Sequence, residues 1–353
     1  MNRTHLFLYS LWLRHTSWLI HSSWLSRIAC IGLLGFSHSS YAHVRWFIPD
    51  GTNPDVRLPF DTIALVLTIT TLSLFVFATL FSRVPILPRP LKVGLTQTVI
   101  TSHPWMWYFL VLIINCYLAV NLLQGEFLAP NLYLSPQFAL YGVIIQAAAI
   151  VVMAVSVSLT GIAIVLTSLA LLLFFPIFIA LDYLFEFLFV GLSLFFIGPS
   201  LNRNDYQLCK SWGQDKNQWR KIAVNLIRIG LGLQLLELGV HNKLMLPGMA
   251  LAFINQNEYY NFFPLLNLPQ VSNLHFVLFV GISETIIGLL LIANLANRII
   301  YGLLLAIFTT TFLLSGIEEL VGHMPIFTII FILFLEAGKQ TDSTTNTPQN
   351  TQT

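Results

Sequence analysis

The chain has few charged residues and few cysteines. Of its 353 residues only 9% are charged, whereas 56% are hydrophobic. A soluble domain normally has about 25% charged residues, so this chain lacks the polar side chains needed to cover a surface that faces water. Its three cysteines, Cys30, Cys116 and Cys209, form no CxxC motif and support neither a disulfide framework nor a zinc knuckle. A net charge of +2 gives no indication of nucleic-acid binding.

The sequence also lacks the motifs of soluble-type catalytic centres. It contains no Gly-rich dinucleotide loop, no P-loop, no haem-attachment motif and no nucleophile–base motif. These absences argue against an independent catalytic centre of the soluble type, and they leave open whether the protein is an enzyme. The remaining polar residues therefore have to be interpreted in a membrane setting, with lipid as the main solvent.

Long apolar runs dominate the sequence after residue 42. A helix that crosses lipid needs about 20 apolar residues, and about nine runs approach this length. The sequence therefore predicts an all-α, polytopic transmembrane helix bundle. The predicted spans are Thr62–Phe81, Trp105–Leu123, Phe138–Val157, Ile162–Ile179, Tyr183–Ile197, Ile222–Val240, Leu274–Leu295, Ile299–Leu314 and Leu320–Leu335.

Residues 1–42 have the pattern of a signal peptide. Three arginines precede the apolar run Ile28–Phe36, and Ser40-Tyr41-Ala42 forms a small-x-small cleavage site. Cleavage there would make His43 the mature N-terminus. The segment 43–61 is then expected to be extracytoplasmic.

The loops predict the orientation. The segment 82–104 contains three Lys or Arg residues and the segment 199–221 contains five, whereas predicted loops on the other side contain acids such as Asp182 and Glu319. Because cationic loops stay in the cytoplasm, we expect an extracytoplasmic N-terminus and a cytoplasmic C-terminus in a bacterial inner membrane. The polar tail 339–353 is expected to be disordered.

The chain contains an apparent internal repeat. Residues 62–104 supply one span and a cytoplasmic loop, and 199–221 form a cytoplasmic linker between two four-span units, 105–198 and 222–338. Units with an even number of spans form a parallel repeat. Gln146 precedes Glu284 by 138 positions, and Asp182 precedes Glu319 by 137. Since Gln146 replaces the acid, we expect the first unit to be a degenerate copy that serves as scaffold.

The second unit resembles the DoxX/DoxD family of four-helix membrane proteins. The matching residues are Arg228, Gly239, Lys243-Leu244 and Pro247 around the first helix, with Glu284, Gly288-Leu289-Leu290-Leu291 and Arg298 around the second. The resemblance implies a membrane subunit of a redox system, such as thiosulfate:quinone oxidoreductase, that works beside an extracytoplasmic or membrane partner. It therefore implies quinone as the cofactor.

Five ionisable residues of this unit form the predicted site. Glu284 lies inside an apolar run, where an acid is costly and indicates function. Glu237 and His241 have helical i, i+4 spacing, as do Glu319 and His323, so the members of each pair face the same direction. We expect Glu284 to be uncharged and to carry a proton, unless Arg228 or Lys243 reaches it. The histidines would relay protons, and Lys243 and Arg228 would contact an anionic substrate.

A metal site is the competing interpretation of the same residues. His241 and His323, with their acidic partners, have the ligand types for Zn, Fe or Mn, while an N-terminal His43 offers an amine and an imidazole to copper. The function expected first is an accessory subunit of a quinone-linked redox system with a proton-active polar pocket. The alternatives are a proton-coupled or metal-handling transporter, and a membrane scaffold for an extracytoplasmic enzyme.

Overall fold

The computed structural model describes residues 55–81, 104–130, 132–153, 155–210 and 215–339. The predicted signal peptide, His43 and the tail beyond residue 339 lie outside these ranges. Within them, all regular secondary structure is helical. The helices are α1 (Thr62–Phe81), α2 (Pro104–Leu123), α3 (Pro136–Met153), α4 (Val157–Phe174), α5 (Ile177–Leu201), α6 (Arg203–Cys209), α7 (Lys216–Gly239) with a π-helix (Val240–Met245), α8 (Gly248–Gln256), α9 (Asn273–Ile292), α10 (Arg298–Ser315) and α11 (Ile317–Lys339).

Seven of the described helices are long and apolar enough to cross a membrane, namely α1 to α5, α7 with its π-helix, and α9. Shorter apolar stretches lie in α10 and α11. The prediction of an all-helical, multi-pass membrane protein is therefore confirmed at this level. The nine-span count, the two repeat units and the orientation stay predictions.

One predicted loop was wrong. The sequence analysis placed Asp182 in a turn between the spans Ile162–Ile179 and Tyr183–Ile197. The chain instead turns at Phe175 and Pro176, and Asp182 lies within α5. Proline has no N–H to donate and fits before or at the first turn of a helix. The proline therefore marks the helix start, and the acid is not a loop residue.

The helices α5 and α7 form the centre of the bundle. Helix α5 packs against α4 on one side and α7 on the other, and α7 also packs against α9. Helix α11 contacts both α2 and α7, and α10 packs on α11. Glycines allow the close approaches: a Cβ on Gly161 of α4 would lie 2.3 Å from the amide nitrogen of Phe195 in α5. Small residues have this role at helix interfaces in membranes.

Helix α1 is fastened near both of its ends. At one end His275 Nε2 of α9 lies 3.0 Å from Asp61 Oδ2. A hydrogen bond from the Ala64 amide, together with the one from His275, lowers the pKa of Asp61 below its usual value. At the other end Asn297 Nδ2 donates to the carbonyl of Ala78 over 3.0 Å. These contacts hold α1 beside α9.

Candidate functional site

Two acids of α5 lie buried in the centre of the bundle. Asp182 is 2% exposed and Glu186 is 5% exposed. They are four residues apart, so their side chains lie on the same face of the helix, one turn from each other. An ionised carboxylate is costly to bury, and buried charges in proteins are paired, protonated or bound to metal. The groups around these two acids therefore determine what the site can do.

Gln234 of α7 bonds to the backbone of α5 between the two acids. Its Nε2 donates to the carbonyl of Asp182 over 2.6 Å, and its Oε1 accepts from the amide of Glu186 over 3.0 Å. These are the two groups that bond to each other in a regular α-helix. The buried glutamine therefore ties α5 to α7 at the turn that presents both carboxylates.

The end of α7 is wound as a π-helix, Val240–Met245, which supplies further polar contacts. His241 Nδ1 lies 3.1 Å from Glu237 Oε1, one turn earlier in the same helix. Asn242 Nδ2 donates to Asp182 Oδ1 over 2.7 Å. Single π-helical turns are rare and occur frequently at functional sites. Here the π-helix brings an imidazole and an amide to two different acids.

The next residue of the π-helix, Lys243, reaches a third acid. Its Nζ lies 2.7 Å from Glu284 Oε2 of α9, with the two side chains 13% and 24% exposed. Glu284 was expected to be uncharged unless a cation reached it, and Lys243 is that cation. The exception that the prediction made for a nearby cation is therefore the case in the structure.

Asp182, Glu237 and His241 form one compact cluster. One potential ligand atom from each residue lies within 4.8 Å of the other two. The ring of Phe178 stacks on His241, with 4.8 Å between centroids and 18° between planes. The cluster thus joins α5 and the end of α7, and an aromatic ring covers its histidine.

A second polar group lies one turn further along α5. Glu186 interacts electrostatically with His323 of α11 and with Tyr117 of α2. His323 and Tyr117 are both buried. The His323 ring meets Phe308 of α10 with 5.1 Å between centroids. A carboxyl group, an imidazole and a phenol from three helices are therefore buried close enough to influence one another electrostatically.

Two further residues predicted for the site are Arg228 and Glu319. Arg228 Nη1 donates to the carbonyls of Leu291 and Ile292 at the C-terminal end of α9, where a cation satisfies terminal carbonyls and complements the helix dipole. Glu319 lies in the first turn of α11, and its side chain is outside the described part of the structure. The roles of Arg228 and Lys243 in binding an anion stay predictions.

The sequence analysis did not include Asp182, Glu186, Gln234 or Asn242 among its site residues. Asp182 had been noted as an acid of a predicted loop and as the counterpart of Glu319, and Glu186 lies inside the predicted span Tyr183–Ile197. The signal that identifies them is the one used for Glu284, an acid within an apolar stretch. They were not assigned to the site because the unit that contains them was expected to be scaffold.

The fold and the site together define an integral membrane protein with ionisable side chains buried between its helices. No known protein family, curated protein or solved structure matches the chain. The resemblance to the DoxX/DoxD family therefore stays a prediction that depends on the motifs of the second unit.

Proposed function

We propose that the protein is a proton-active membrane protein in which Glu186 and His323 exchange a proton inside the bundle. In the role implied by the DoxX/DoxD resemblance, it is an accessory subunit of a quinone-linked redox system. The observation on which this proposal depends is that Glu186 and His323, two groups that gain and lose protons readily, are both buried and interact electrostatically.

Burial in lipid supports a role for this pair. Glu186 is the tenth residue of α5, which places it about 14 Å from the start of the helix at 1.5 Å per residue. Ionisable residues at such a depth are costly and typically belong to proton relays or ion pathways. If these residues only joined helices to each other, an amide or hydroxyl side chain could do the same with a smaller free-energy cost of burial.

The chemistry of the pair also supports the proposal. A carboxylic acid and a neutral imidazole convert into a carboxylate and an imidazolium when one proton moves between them. Both states have zero net charge, so the exchange adds no net charge to the low-dielectric interior. Tyr117, which also interacts electrostatically with Glu186, adds a phenolic hydroxyl that is both a donor and an acceptor.

A quinone-linked role would use this exchange directly, because reduction of a quinone by two electrons takes up two protons. The half-exposed Phe178 ring that stacks on His241 gives the neighbouring polar cluster an edge that a lipid-soluble ring can approach. A quinone and a redox partner remain part of the proposal through the family resemblance. Quinone extracted in stoichiometric amount from the purified protein is the expected result.

The alternatives make different use of the pair. A proton-coupled or metal-handling transporter would couple the proton exchange to movement of a solute. A membrane scaffold for an extracytoplasmic enzyme would need no proton exchange. Proton movement therefore separates the first two functions from the third, and solute accumulation in vesicles separates the transporter from the redox subunit.

The test is proton flux in proteoliposomes that enclose a pH-sensitive dye, driven by a potassium diffusion potential. We expect flux with the unaltered protein, and a fall of about 100-fold, or to the level of empty vesicles, in Glu186→Gln and His323→Gln. Glu258→Gln, which alters an exposed acid between α8 and α9, is the matched control and should keep its flux. Equal flux in all four proteins would refute the proposal.

A further inference from the structure

We propose that Asp182, Glu237 and His241 bind a divalent transition-metal ion of the Zn²⁺, Mn²⁺ or Fe²⁺ class. The site goes beyond the proton exchange at Glu186 and His323 and shares no ligand with it. From the sequence, His241 and His323 with their acidic partners were considered as ligands of Zn, Fe or Mn, and His43 was considered for copper. In the structure His241 is grouped instead with two acids, one of them from α5.

The first argument is geometric. The three ligand atoms come from two helices and lie within 4.8 Å of one another. In a tetrahedral zinc site with bonds of about 2.1 Å, ligand atoms are roughly 3.4 Å apart. Small changes in side-chain rotamers therefore bring the three atoms to bonding distance, without movement of α5 relative to α7.

The second argument is charge balance. An ionised Asp182 and Glu237 supply two negative charges, and a neutral His241 adds none, so a divalent ion makes the site electroneutral. Two carboxylates this close to each other repel one another when both are ionised. A metal ion satisfies both at once.

The third argument is the support around the ligands. Asn242 donates to Asp182 Oδ1 and orients that carboxylate. Gln234 fixes the backbone of Asp182 against α7, and Phe178 holds the plane of the His241 ring. Partners outside the ligands of known metal sites orient them in this way and raise the affinity for the ion.

The donor set indicates the class of metal. Imidazole is a typical ligand of zinc, iron, copper and nickel, whereas carboxylates also suit manganese. Mg²⁺ and Ca²⁺ prefer oxygen ligands only, so a histidine among three ligands disfavours them. The cluster has no thiolate, which disfavours Cu(I). Cu(II) and Ni(II) favour square-planar or tetragonal geometry, so zinc, manganese and iron in the divalent state match these three ligands best.

The test uses the full-length protein, purified in detergent and stripped with a chelator. Zn²⁺ alone is titrated by calorimetry, and Co²⁺ alone is added as a spectroscopic probe of the ligand geometry. We expect one high-affinity Zn²⁺ per chain and a visible Co²⁺ absorption band. Glu237→Gln and His241→Gln should weaken Zn²⁺ binding at least about 100-fold, because second-shell changes alone cost about 10-fold to 100-fold.

Controls separate ligand loss from misfolding and from the proton exchange. Each variant is first checked by size-exclusion chromatography. If Asp182→Asn does not fold, the less buried His241→Gln still tests the site. Glu258→Gln should bind Zn²⁺ like the unaltered protein, and so should Glu186→Gln even where its proton flux is lost. The inference is overturned if the unaltered protein shows no saturable binding, or if the ligand variants keep its affinity.

Discussion

Lys243 of the π-helix and Glu284 of α9 form an ion pair, with 2.7 Å between Nζ and Oε2. Both side chains are mostly enclosed by neighbouring helices. A charge within a membrane bundle is tolerated when an opposite charge lies against it. The pair therefore explains how Glu284 occupies the middle of an apolar helix, and it connects the π-helix to α9.

Replacing one partner of this ion pair should destabilise the protein more than replacing both. In Lys243→Met the Glu284 carboxylate is left without its cation, and we expect a loss of roughly 2 kcal/mol, somewhat less than for a fully buried pair. The double variant Lys243→Met/Glu284→Gln leaves no unpaired charge and should recover much of that loss. Thermal denaturation in detergent measures both. Additive losses in the double variant would contradict a direct pairing.

Gln234→Leu should destabilise the protein by about 1–3 kcal/mol, because it removes two buried hydrogen bonds to the backbone of α5. Gln256→Leu, at an exposed position at the end of α8, is the control and should change stability by less than about 0.5 kcal/mol. Denaturation midpoints of the two variants give the comparison. An equal loss of stability in both variants would mean that the hydrogen bonds of Gln234 do not stabilise the fold.

Gly161→Ala should separate α4 from α5. The added methyl group would lie 2.3 Å from the Phe195 nitrogen and 2.4 Å from the Gly191 carbonyl oxygen, and neither backbone atom can move alone. Overpacking of this kind costs about 1–3 kcal/mol or more. In Gly302→Ala the nearest atom would be 3.7 Å away. That substitution should be neutral, or stabilising by about 0.5–1 kcal/mol.

The predicted orientation can be tested with single cysteines in a background whose native cysteines are replaced by serine. Glu258 and Gln218 are both exposed, and most of α7, which is long and apolar enough to cross a membrane, lies between them. Because the cationic segment 199–221 is expected to stay in the cytoplasm, an impermeant maleimide should label Glu258→Cys in intact cells. It should label Gln218→Cys only after permeabilisation. The reverse pattern would invert the predicted topology.

Contacts within one helix were accessible to sequence reasoning. The i, i+4 spacing of Glu237 and His241 predicted that they face the same direction, and the structure places them 3.1 Å apart. The first span, Thr62–Phe81, has the predicted bounds. In both cases a local period or an apolar run determines the outcome, so no information about other helices is required.

Contacts between helices could not be predicted from such local patterns in the sequence. The proximity of Asp182 to His241 depends on how α5 and α7 are rotated and shifted relative to each other, and no repeat in the sequence encodes this. The π-helix at Val240–Met245 also alters the direction of Lys243 relative to a regular helix. The partners of Glu186 could not be predicted for the same reason.

The winding of the π-helix limits which deletions the protein can tolerate. Leu246 donates to the carbonyl of His241, five residues back, so this turn contains one residue more than an α-helical turn. Loss of a single codon here would restore regular winding and turn the following residues by about 100°. The amide and the ammonium, whose acids lie on other helices, would then lose them together, so deletion of one residue ahead of them should be more damaging than replacing either one.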